Sequence, residues 1–186
     1  MGQYFIVVNA DKQQFFNPVV WGEANKLGGV IRNKRTTWAT SLLVTWTAEV
    51  NRPSDLLGSW HGDKLYLAGD SEPADTATLQ TSTPTEPERN LFQMAFAAYT
   101  DISYELIALL STLDSETAVA LAKLASHHER ALIDMGNVVY CLGCRPLEEQ
   151  LTAALGKQWA KRYERALTNH SDWWRTRPKQ YVAQLK

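Results

Sequence analysis

A histidine pair followed by an acid, His127-His128-Glu129, stands shortly before Cys141-Leu142-Gly143-Cys144. A histidine, a glutamate two residues on and a Cys-x-x-Cys are the parts of a zinc deaminase. In such a site His and two Cys hold Zn²⁺, and the Glu moves protons for the attacking hydroxide. That chemistry requires each half to open a helix, with a helix and a strand between the halves. Here only eleven residues separate Glu129 from Cys141, His127 falls near the end of its helix, and Tyr140 stands where the signature has proline. The spacing argues against a deaminase. A structural zinc site using Cys141 and Cys144 with His127 or His128 is easier to build. The competing reading is two buried thiols and a solvent-facing His-Glu pair.

A second polar group lies in the stretch GSWHGDKLYLAGD, residues 58–70, followed by Glu72. Alternation along a strand puts residues of one parity on one face, so His61 and Asp63 are candidates to converge, with Asp70 near by, as a cation site or an acid–base pair. The alternative is turn chemistry, since an Asp after Gly in a hairpin bonds its own backbone. The chain also holds seven tryptophans, four of them (Trp21, Trp38, Trp46 and Trp60) in its first third. Each is core by default. Beside Lys26, Arg32, Lys34 and Arg35, indoles such as Trp21 and Trp60 are also candidates to line a ligand pocket. Near the other end, Trp173 and Trp174 with Arg175 and Arg177 form an aromatic and basic patch suited to a partner, or a tail packed back on the helices.

The elements that must position these residues follow from periodicity. Tyr4 to Asn9 (YFIVVN) is β-branched and aromatic and predicts a first strand. Ala10-Asp11-Lys12 is a turn, from which Gln13 to Phe16 returns antiparallel before Pro18. Residues 21–29 carry one helical turn closed by Gly28-Gly29. Over 36–50 two patterns compete: Trp38, Leu42 and Trp46 at four-residue spacing, and Val44, Trp46, Ala48 and Val50 in alternation. Length and the stop at Asn51-Arg52-Pro53 favour a helix. The His61-Gly62-Asp63 turn before Leu65 to Gly69 is a hairpin signal.

Ser71 to Arg89 is rich in Thr, Ser, Pro, Ala and Glu and predicts a loop between a sheet-containing part, 1–70, and a helical part, 90–186. Beyond it, helices are expected over 90–99 and 102–113. Asp114-Ser115 caps a further one, with Leu121, Leu124, Ala125, His128 and Leu132 on its inner face and Gly136 at its end. Val138 to Leu142 is then a short strand, Pro146 opens a helix that runs to Gly156, and residues 158–167 form another.

At 186 residues and 45% hydrophobic, the chain fits one domain that folds without metal or disulfide. No apolar run is long enough to span a membrane. The start MGQYFIVVNADK lacks a secretory signal's basic and apolar regions, and Phe5-Ile6 replace the Ser/Thr of a myristoylation motif. The expectation is a cytoplasmic protein with reduced thiols. A formal net charge of −1 argues against a general nucleic-acid binder. The charge is unevenly spread, with a net of −6 over 55–88 and +5 over 145–186. There is no P-loop, G-x-G-x-x-G, G-x-S-x-G or H-E-x-x-H to indicate a common cofactor enzyme.

The segments MGQYFIVVNADKQQFFNP, WGEANKL, GSWHGDKLYLAGD and YTDIS resemble a group of small, uncharacterised bacterial and phage proteins with a similar start and a G-x-W-x-G-D strand block. The likeness runs in patches over about the first 105 residues. It departs at Glu23-Ala24-Asn25, where a glycine-containing segment is expected, and it implies no activity.

The sequence therefore predicts a single α+β domain, a small, mainly antiparallel sheet packed against a helical layer. The leading functional expectation is a non-enzymatic binding protein that holds a protein partner or small ligand through an aromatic-rich surface. No cofactor is expected under that reading. The alternative is a metal- or nucleotide-dependent enzyme, of zinc hydrolase or deaminase type, using His127/Glu129/Cys141/Cys144 or His61/Asp63/Asp70.

Overall fold

The structure, a computed structural model, describes residues 3–22, 26–45, 54–71 and 90–170. Trp46 and the proline stop after it, the Glu23-Ala24-Asn25 departure, Glu72 and the loop to Arg89, and the Trp173–Arg177 patch lie outside the described residues.

The run FIVVN forms the first strand, β1 (Phe5–Asn9), and every residue of it is buried. A strand covered on both faces needs an unbroken apolar run rather than alternation, and that is what these residues supply. β2 (Gln14–Phe16) returns antiparallel to β1, with Val7 opposite Phe16, as the Ala10-Asp11-Lys12 turn predicts. A 3₁₀ turn over Pro18–Trp21 follows, capped by the Asn17 side chain. Two helices come next, α1 (Leu27–Arg32) and α2 (Lys34–Val44). The paired glycines thus lie inside α1 and do not end a helix. Asn33 separates α1 from α2, its extended backbone breaking the helix and its side chain accepting the Thr36 N–H. The helix expected over 36–50 is present but stops at Val44, where the Thr45 backbone turns extended, and its buried face is Thr36, Ala39 and Leu43, with Trp38 and Leu42 packed at its margin.

β3 (Leu65–Gly69) pairs antiparallel with β1, Val7 opposite Leu67. The predicted strand is present, but the residues before its turn form no hairpin arm. Residues 55–62 are turns, and their backbone closes the end of α2 instead. The last carbonyls of a helix lack intrahelical partners. At α2 the Gly58 N–H reaches Leu42 O at 2.8 Å, the Trp60 N–H reaches Leu43 O at 2.8 Å, and His61 Nδ1 donates to Val44 O at 3.1 Å.

After α3 (Leu91–Ala98), a two-residue strand, β4 (Thr100–Asp101), joins the sheet parallel to β2. The order is β3-β1-β2-β4. The sheet is thus mainly antiparallel, but it is not confined to residues 3–70, because its fourth strand comes from the otherwise helical part. The junction is tied by hydrogen bonds. Asp101 Oδ1 accepts from both the backbone N–H and the hydroxyl of Ser103, and Ser103 Oγ accepts the Asn17 N–H at 2.8 Å.

The remaining helices are α4 (Ser103–Leu113), α5 (Ser115–His127), α6 (Glu129–Leu142), α7 (Arg145–Leu155) and α8 (Trp159–Asn169). Asp114 caps α5, accepting the Glu116 and Thr117 N–H groups, and Pro146 lies in the first turn of α7. Two expectations fail here. Gly136 does not end a helix, and Val138 to Leu142 is not a strand. α6 runs through both and stops at Gly143, whose φ of 65° suits glycine. The chain turns earlier, at His128, whose extended backbone separates α5 from α6 and leaves its side chain exposed, off the inner face of either helix.

Alternate residues of the sheet face two apolar clusters. Phe5, Val7 and Phe16 join the main core with Leu43, Trp60, Leu106, Leu121 and Leu132. Ile6, Val8, Phe15 and Ala68 pack beneath Ala95 of α3, with Phe92 and Phe96 beside it. The fold is α+β, with the sheet between α3 and the larger helical layer. Among the described residues, no helix is long and apolar enough to cross a membrane.

Candidate functional site

The Cys-x-x-Cys and the histidine pair lie at opposite ends of α6. His128 is its N-cap and Cys141 belongs to its last turn. They are thirteen positions apart, which at about 1.5 Å per residue is on the order of 20 Å. Zn²⁺ holds its ligands at about 2.0–2.3 Å, so no single ion is shared by His128 and Cys141. His127, at the C-terminus of α5, is at the histidine end, and Cys144, the N-cap of α7, is at the cysteine end. Among the described residues, no three His, Cys, Asp or Glu side chains form a group suited to a metal.

Both cysteines are free. Burial pushes the thiols above the ordinary cysteine range, and the Leu147 N–H only partly offsets this at Cys144. Reactive cysteines need the opposite shift.

The His61, Asp63 and Asp70 group is likewise dispersed. His61 serves the end of α2. Asp63 Oδ2 accepts from Asn9 Nδ2 at 2.8 Å and lies 3.9 Å from Lys12 Nζ. Asn9, fully buried, turns its other side-chain atom to the Lys12 N–H at 2.9 Å. Asp63 therefore clamps the turn segment onto the β1–β2 connection. Asp70 stands beyond the far end of β3, where its Oδ1 accepts the Tyr4 N–H at 3.1 Å and the Ser71 hydroxyl at 3.0 Å. The two aspartates are seven positions apart, on the order of 23 Å along an extended chain.

The tryptophans assigned to a ligand pocket are core. Trp21 and Trp60 are fully buried and both pack against Phe16, Trp21 tilted at 5.5 Å and Trp60 stacked at 5.9 Å between ring centroids. Trp60 Nε1 donates to Gln14 Oε1 at 2.7 Å. Lys26 is exposed at the start of α1.

What the fold does build is a pocket of about 330 Å³ between the helices α1 and α2 and the β1–β3 face of the sheet. Val7 and Leu67 are cross-strand partners and so share this face; Leu65, two residues before Leu67, lies on it as well. With Val30 and Val44 they make the walls apolar. Thr36, Thr37, Thr40 and Ser41 supply hydroxyls along one side of α2. Thr40 and Ser41 return theirs to the helix carbonyls of Thr36 and Thr37, at 2.9 and 2.8 Å. Thr36 Oγ1 is buried and has no partner among the described residues. At the rim, Ile31 is 57% and Leu67 39% exposed, so apolar area remains uncovered there.

The TTWATS run, residues 36–41, carries the signal for this site, because hydroxyl residues at i and i+4 share a helix face. Reading α2 only for its tryptophan and leucine spacing passes over it.

A second feature, in the core, also escaped sequence reading. Tyr163 donates to Asn137 Oδ1 at 2.7 Å, Asn137 Nδ2 donates to Tyr104 Oη at 3.0 Å, and Tyr104 donates to Asp134 Oδ1 at 2.9 Å. The chain joins α8, α6 and α4 through the interior. Each member satisfies another, which a polar group out of water requires. This network stabilises one packing of the three helices.

Comparison with protein-family models, curated proteins and solved structures finds no match.

Proposed function

We propose that this is a non-enzymatic binding protein, cytoplasmic and of the kind bacteria or phages use, which holds a small, largely apolar ligand between α2 and the β1–β3 face. The observation that carries this reading is the pocket of about 330 Å³ with apolar walls and a row of hydroxyl residues along one side. Ligand sites typically enclose roughly 300–1,000 Å³, mostly apolar with a few polar groups that fix orientation. The hydroxyl residues Thr37, Thr40 and Ser41, along one side of α2, are the polar groups beside such a ligand. Leu67 and Ile31 give such a ligand apolar surface to cover at the mouth. The aromatic-rich binding surface expected from Trp21 and Trp60 has no part in this reading, since both indoles are interior.

The test is titration of the folded protein with the apolar fluorophore 1-anilinonaphthalene-8-sulfonate, beside native mass spectrometry for a co-purified molecule. Saturable binding at one site, lost when Thr40→Phe fills the pocket without lowering the melting temperature, is the expected result. Binding that never saturates, or that Thr40→Phe leaves intact, overturns the assignment.

A further inference from the structure

A notch between the α5–α6 corner and α8 gathers two histidines and two arginines. Its walls include His127 and His128 at the corner and Arg162 and Arg165 on α8, around a space of about 50 Å³. The two arginines are three residues apart and project from the same side of α8, away from its buried face of Trp159, Tyr163 and Ala166. Neither guanidinium and neither imidazole has a hydrogen-bond or ion-pair partner among the described residues. The acid on this rim, Glu129, is already engaged. Its Oε2 meets His170 Nε2 at 3.1 Å and Asn169 Nδ2 at 3.4 Å. That contact draws the carboxylate toward the end of α8.

We propose that this notch binds a phosphate-class oxyanion. Two guanidiniums one helical turn apart offer planar donor pairs that match phosphate oxygens, and such charge-assisted bonds are roughly twice as strong as neutral ones. The ring nitrogens of His127 and His128 supply further donors from the opposite wall. Glu129, which also lines the space, is held by His170 and Asn169. The notch shares no lining residue with the apolar pocket on α2, so the two sites are independent.

Inorganic phosphate, titrated into the full chain at low ionic strength and followed by calorimetry and by the ring-proton NMR signals of His127 and His128, provides the test. One saturable event that moves both histidine signals is expected. The double substitution Arg162→Gln/Arg165→Gln weakens it about tenfold or more, as the loss of two charge-assisted contacts requires. Lys161→Gln, an exposed charge on the same helix but not on the notch, changes it less than about twofold, as screened surface charges do. Both variants alter exposed side chains, and unchanged melting curves verify that they fold. The proposal is overturned by a titration without saturation, by a double variant that binds like the parent, or by an equal loss in Lys161→Gln, which marks general attraction to a basic surface.

Discussion

Tyr163 of α8 lies against the backbone of Gly136 in α6, so close that a Cβ added at Gly136 would stand 2.3 Å from Tyr163 Cδ2. The glycine inside α6 is therefore a packing position, and it lets α8 approach near enough for Tyr163 to reach Asn137. Gly136→Ala gains up to about 1 kcal/mol of helix propensity. It must also displace a buried tyrosine, an overpacking cost of about 1–3 kcal/mol, and it strains the hydrogen bond beyond. A net loss of stability in urea denaturation is expected, and a more stable Gly136→Ala protein contradicts this packing.

Asp63 and Asp70 separate a clamp from a rim contact. Asp63→Ala leaves the buried Asn9 amide without its acceptor, at about 1–3 kcal/mol. Asp70→Ala removes an exposed bond to the Tyr4 N–H, worth about 0.5–1.5 kcal/mol. Denaturation midpoints of the two variants should rank in that order, and equal losses would argue against the clamp.

The thiols should be slow. Because burial raises both thiols above the usual range, the thiolate fraction near neutrality is below that of an unfolded cysteine. Alkylation in the native state should trail that in denaturant, with half-buried Cys141 reacting before buried Cys144. Since the histidines sit at the other end of α6, a chelator should leave the melting temperature unchanged. A drop in melting temperature on chelation would reveal a metal elsewhere in the chain.

Stability should fall in strong alkali. Burial, with Cys141, Tyr140 and Glu164 adding to it, holds the Tyr163 hydroxyl protonated well above the ordinary tyrosine range. An unfolded tyrosine releases its proton near pH 10, whereas the folded one keeps it. Above about pH 10 the native state thus binds more protons than the unfolded state, and stability declines as pH rises. Below that pH the contribution is fully present. Tyr163→Phe should flatten the alkaline slope while lowering stability at neutral pH, because Asn137 Oδ1 loses its donor. The check is a set of denaturation curves from pH 8 to 11, the range about the ordinary tyrosine value.

Much of the fold was legible because its signals are local. FIVVN forms a strand by its β-branched run, Asp114 caps α5 through groups two and three residues on, and Pro146 suits a helix's first turn. In each case the residues that decide the conformation are a few positions apart. The helical state of α2 was legible from residue 36 on, whereas its buried face was not, because Trp38, which dominates its pattern, packs only at the margin.

The sequence alone determined an α+β chain with a strand at Phe5–Asn9 and helices beyond residue 90, since hydrophobic period and caps act within a turn or two. Tertiary structure decided the rest. It made Gly136 a contact where the local pattern indicates a stop, and it recruited Thr100–Asp101 as a strand by pairing it with β2. The length of an unbroken α6 placed the histidines and cysteines at opposite ends. Trp21 and Trp60 went inside because Phe16, distant in sequence from Trp60, receives them both. The pocket on α2 exists only where that helix crosses Val7 and Leu67, two residues that β-pairing sets side by side across 60 positions of chain.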